Sequence, residues 1–89
     1  MEAQRLQQVA AVVRRAGLNE QTLAVLRETF TDLHFTACLD DDVGIIAPAL
    51  RDVGFNIYLV DGRAHCLTLT TDLQAATGFL LAEVDGQTQ

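Results

Sequence analysis

The spacing of apolar residues changes twice along this chain. From residue 3 to 16, Leu6, Val9, Ala10 and Val13 stand at i, i+3, i+4 and i+7, which places them on one face of a helix. Gln4, Gln7, Gln8, Arg14 and Arg15 supply much of its wet surface. The two arginines complement the helix dipole at its last turn, and Gly17 is placed to stop the helix. A second helix is predicted to about residue 30, with Asn19 as its N-cap, Glu20 in its first turn and Leu23, Leu26 and Phe30 as its apolar stripe. A link of about three residues makes the two an antiparallel or sharply angled pair.

After residue 31 the period shortens to two. Leu33, Phe35, Ala37 and Leu39 alternate with His34, Thr36 and Cys38, a strand whose first set is predicted to face the core. Phe55, Ile57 and Leu59 alternate with Asn56 and Tyr58 in a second strand. Asp61-Gly62 is a hairpin turn signal, and a third strand over about 64–70 is expected directly after it. There, His65, Leu67 and Leu69 take one face, and Cys66, Thr68 and Thr70 the other. Thr71 and Gln74 fit a capping box for a helical turn at 72–77. Gly78 then favours a strand over 79–84 against the helix that Leu and Ala would allow, and a frayed tail closes the chain. Residues 40–54 carry no clear period, and Pro48 argues against a central strand there.

These elements predict an α+β fold: two N-terminal helices packed on one face of a small, mostly antiparallel sheet of three to four strands. The expected organisation is one domain, with a helical hairpin at 1–31, a sheet region at 32–85 and a flexible tail at 86–89. Eighty-nine residues allow one domain. A chain this short buries roughly 60–65% of its unfolded surface, so its core is small. A hydrophobic content of 49% is that of a globular chain rather than a disordered one.

Charge narrows the function classes. The net charge is -6, and all six basic residues are arginine. Residues 1–31 carry four arginines against three acids, whereas residues 32–89 carry two against nine. Phosphate neutralisation needs clustered cations, so nucleic acid and anionic membrane are not expected partners. No apolar run approaches the ~20 residues of a membrane span, and the first residues lack a secretory pattern. A cytoplasmic location follows as an expectation, with Cys38 and Cys66 as thiols rather than a disulfide.

If the helices cover one sheet face, the other holds His34, Thr36, Cys38, Asn56, Tyr58, Cys66 and Thr68, polar but uncharged. Such a face could bind a small ligand, a protein partner or a second copy; it could equally be an ordinary wet sheet face. A metal on His34, Cys38 and Cys66 fails on geometry. Positions i and i+4 of a regular strand lie roughly 13 Å apart, too far for shared ligation. Asp40-Asp41-Asp42 could steer a basic partner or simply be a solvated loop. It is not a calcium loop, because Gly44 is fifth from Asp40 and Arg51 twelfth, where an EF-hand needs glycine sixth and glutamate twelfth. No nucleophile elbow, cysteine-protease signature or glycine-rich phosphate loop is present. No catalytic residue, metal or cofactor is therefore assigned.

The segments Leu33-His34-Phe35-Thr36, Asp40-Asp41-Asp42, 55–61 (FNIYLVD), His65-Cys66-Leu67 and Ala76-Thr77-Gly78 resemble a family of small, uncharacterised bacterial proteins over about residues 25–85. The resemblance implies, for some relatives, a neighbourhood among nitrogen-fixation genes and an accessory role there. It implies no catalytic residue, and nothing in the residues themselves points to nitrogenase assembly.

The leading expectation is a non-enzymatic cytoplasmic domain that self-associates or docks on a protein partner, the acidic half meeting positive charge. Its expected binding set is His34, Cys38, Asn56, Tyr58, Cys66, Asp40, Asp41 and Asp42. The alternatives are a small-molecule or metal-binding protein on the uncovered face, a nitrogen-fixation accessory protein, and a cysteine-dependent enzyme or redox protein.

Overall fold

A computed structural model describes residues 2–44, 46–62 and 68–84. Helix α1 spans Ala3–Ala16 and buries Leu6, Val9, Ala10 and Val13, the four residues that the helical spacing selects. Gly17 ends it at φ +84°, its N–H donating to the Val13 carbonyl at 2.7 Å. Helix α2 spans Glu20–Thr29. The Asn19 side chain caps it by accepting the Thr22 N–H at 2.9 Å. Thr22 is itself buried, and its hydroxyl donates to the Gly17 carbonyl at 2.6 Å, fastening the start of α2 to the end of α1. None of the described helices is long and apolar enough to cross a membrane.

Five strands form one sheet among the described residues: β1 His34–Leu39, β2 Leu50–Arg51, β3 Phe55–Asp61, β4 Thr68–Thr70 and β5 Gly78–Glu83. The order is β1-β5-β3, with β2 and β4 both on the far side of β3. The α+β class holds, with two differences from the expected sheet. There are five strands rather than three or four, because β2 is two residues long, too short to show a period. And β1 runs parallel to β5, a long-range pairing that no local signal announces.

The helices rest on one face. Phe35, Phe55, Ile57, Leu59, Phe79 and Leu81 join Leu6, Val9, Val13, Leu23 and Leu26 in one apolar core. Phe35 sits between Phe30 and Phe79, with ring centroids at 6.2 and 5.9 Å. Ala37 and Leu39 share that face by strand parity, yet both are exposed, because they lie beyond the packed core. The expectation that the whole set faces the core therefore holds only for Leu33 and Phe35.

Asp61, expected in the hairpin turn, is instead the last residue of β3: it pairs with Thr68, and Val60 pairs with Leu69. That register puts Leu69 with Val60, on the face of Asn56 and Tyr58, and sends Thr68 and Thr70 to the helix face, opposite to expectation. The part of the third strand expected at 64–67 lies outside the described residues. Residues 72–77 form a turn rather than a helix. Asp72, not Thr71, caps it, its carboxylate accepting the Gln74 N–H at 2.9 Å.

Candidate functional site

The second sheet face is assembled as strand parity requires. Through β5, Cys38 lines up with Ala82 and Asn56, and Thr36 with Leu80 and Tyr58. That face is nevertheless closed over β3. Asn56 is 7% exposed and Tyr58 4%. After β1 the chain enters a 3-10 turn, Asp40–Asp42, which brings the Asp40 carboxylate onto this face. There it accepts from Asn56 Nδ2 at 3.0 Å and from the Tyr58 hydroxyl at 2.7 Å. The expected uncovered face is thus corrected at its centre, by a contact between residues 16 and 18 positions apart. Burial, then the hydrogen bond to the Asp40 carboxylate and its charge, push the Tyr58 phenol above its ordinary range. Tyr58 is therefore a neutral donor, and the trio is a satisfied polar clasp rather than a vacant binding site.

The remaining candidates disperse. His34 is exposed at the start of β1, Cys38 is half-buried on the second face, and Asp41 is exposed in the turn. Cys66 and the Asp42 side chain lie outside what the structure describes. Among the described residues no group of three or more His, Cys, Asp or Glu is arranged to hold a metal.

A different feature sits at the edge of the sheet. Backbone groups of a strand point alternately to its two neighbours. The His34 N–H donates to the Thr77 carbonyl at 3.1 Å, on the β5 side, so the backbone groups of Phe35, Ala37 and Leu39 point away from β5. No described strand pairs with that outer side. Arg27 of α2 reaches it, its Nη2 donating to the Phe35 carbonyl at 3.0 Å. Beside the same edge, Leu18, Leu23, Ala37 and Leu39 line a groove of about 300 Å³ bordered by Asn19, Glu20 and Glu83. Leu39 is 49% exposed at its rim.

Sequence reasoning passed over this edge, although its signal is in β1. His34–Leu39 (HFTACL) contains no Lys, Glu, Asp, Arg or Pro, the residues that commonly blunt an edge strand.

The architecture defines a small α+β domain with two helices on one face of a mixed five-stranded sheet. By sequence, the chain belongs to a family of unknown function, DUF6129, whose model matches residues 7–84. No characterised protein and no solved structure gives a significant match.

Proposed function

We propose that this is a cytoplasmic protein-interaction domain whose docking element is the outer edge of β1. The observation that carries this reading is the run from Phe35 to Leu39: outward-turned backbone groups with no charge or proline in the strand itself, the Arg27 guanidinium on the Phe35 carbonyl, and an apolar groove alongside. Edge strands of this kind recruit an extended segment through main-chain hydrogen bonds, while a flanking pocket selects its side chains. Asn56 and Tyr58 support the reading indirectly. Clasped by Asp40, they stiffen the sheet on which β1 is carried and offer no open donor of their own.

Ala37→Pro tests the reading directly. The Ala37 N–H points away from β5, so proline there removes no bond of the β1–β5 ladder but blocks addition of a further strand. Tagged wild type and Ala37→Pro are compared as baits by quantitative mass spectrometry, with circular dichroism showing that both are folded. Proteins captured by the wild type and lost with Ala37→Pro support the edge as the docking element. An unchanged set of captured proteins removes it.

A further inference from the structure

We infer that the segment received by the β1 edge is β1 of a second copy, laid antiparallel about a twofold axis near Ala37. This deepens the reading of that edge as a docking element and rests on it.

The inference comes from how charge is ordered along the edge. α2 runs above β1 with Glu20 beside Ala37 and Leu39, and Arg27 beside Phe35. Glu20, Ala24 and Arg27 stand at i, i+4 and i+7, one stripe of the helix, and all three are exposed. The stripe therefore reads negative, neutral, positive. The turn after the strand adds one exposed acid, Asp41, at the Glu20 end, whereas the Asp40 carboxylate is held on the second face over β3. A twofold interface brings residue i against j and j against i. Antiparallel pairing of the edges about Ala37 sets Phe35 opposite Leu39 of the second copy. Arg27 then lies across from Glu20 of the second copy. A parallel pairing about a twofold axis would put the two α2 helices on opposite faces and leave Glu20 and Arg27 without these partners, so the pattern selects the antiparallel one.

Lengths agree as well. Glu20 to Arg27 spans about 10.5 Å of helix, and Phe35 to Leu39 about 13 Å of strand, so both layers come into register about one axis. The Leu39 side chain, half exposed in the single chain, is then carried to the Phe35 end of the second copy. The -6 charge of each copy opposes association only weakly, because charges separated by more than about 8 Å are largely screened at physiological ionic strength.

The test is sedimentation equilibrium of the full chain over a wide concentration range, with Glu20→Arg, Arg27→Glu, the double swap and Ala37→Pro. The wild type should be a dimer in equilibrium with monomer. Each single reversal should weaken the dimer on the order of tenfold, since every dimer contains the pair twice. The double swap should restore it, because Glu20→Arg and Arg27→Glu together exchange the two charges and keep them opposite across the interface. Ala37→Pro should leave only monomer, and circular dichroism should show all variants folded. A wild type that stays monomeric throughout overturns the inference, as does a dimer indifferent to Ala37→Pro or a double swap no better than its single parents. If the chain is monomeric yet still loses partners on Ala37→Pro, the edge remains a docking element and only its occupant is wrong. If both assays are indifferent to Ala37→Pro, both readings fall.

Discussion

Gly78 lies against His34 with no room for a side chain: a Cβ there would sit 2.2 Å from the His34 carbonyl oxygen and 2.7 Å from its Cβ. This is the first pair of the parallel β1–β5 ladder. The obstruction is backbone, so it cannot rotate aside. Gly78→Ala must push β1 away from β5, and forced overpacking of this kind costs about 1–3 kcal/mol. For a domain of this size that corresponds to a fall of roughly 4–8 °C in melting temperature per kcal/mol. Thermal unfolding by circular dichroism checks it. A variant melting with the wild type would show that β1 is not held this closely.

The Asp40 clasp gives a second prediction. Asp40→Ala removes the acceptor shared by Asn56 Nδ2 and the Tyr58 hydroxyl, leaving both buried donors unsatisfied. Each orphaned group costs about 1–3 kcal/mol. Tyr58→Phe alone removes a donor together with its need for a partner, so it should cost less. Because the two residues share one hydrogen bond, their effects should not add. A double-mutant cycle by urea unfolding should return a coupling of about 0.5–3 kcal/mol. Strict additivity would mean that the bond contributes nothing to stability.

These two contacts mark where sequence reasoning succeeded and stopped. Spacing was enough for α1, because Leu6, Val9, Ala10 and Val13 make one face whatever they pack against. The Asn19 cap was legible because capping is local. Strand parity correctly grouped His34, Thr36 and Cys38 with Asn56 and Tyr58. Exposure of that face did not follow from parity. It depends on Asp40 folding back over β3, and Asp40 looks like any solvated acid in its own neighbourhood. Val60, Leu80 and Ala82 were the available hint, apolar residues on the face expected to be wet. The groove was out of reach for a related reason: Leu18 comes from the link between the helices, Leu23 from α2, and Ala37 and Leu39 from an edge strand, and they meet only once β1 has paired with β5.

Two ion pairs fix the acid side of the stability profile. Arg5 donates to Asp32 at 2.6 Å, and the Arg14 guanidinium donates to Asp52, its Nε at 3.0 Å, tying α1 to the turn before β3. These hydrogen bonds hold both carboxyls below their ordinary range. The unfolded chain then takes up protons first, so the pairs stabilise the fold above about pH 4 and lose that contribution as pH falls through the lowered values. Arg14→Gln should therefore be less stable than the wild type near neutrality and converge with it toward pH 2. The pairs are solvent-exposed, so the gap should be small and should shrink with added salt. Urea midpoints across this range measure it, and a gap that persists undiminished at the acid end would rule out the Arg14–Asp52 pair as its source.

The alkaline side belongs to Tyr58, the chain's single tyrosine, which makes its titration readable without ambiguity. Burial and the Asp40 carboxylate raise its phenol in the folded state, whereas the unfolded chain returns it to an ordinary value near 10. Above that value the unfolded state loses its proton while the folded state keeps it. The contribution of Tyr58 is thus fully present below about pH 10 and is lost as pH rises through the folded value. Phenolate absorbance of the folded protein should rise only at higher pH than in urea, and unfolding should be seen to accompany that rise. Tyr58→Phe should remove the part of the alkaline slope that this phenol causes. Asp40→Asn should move the absorbance transition down toward the ordinary value, because the carboxylate charge is gone while an acceptor oxygen remains. A folded-state titration that coincides with the unfolded one, or that ignores Asp40→Asn, would show that the hydroxyl is not held between the sheet and the Asp40 turn.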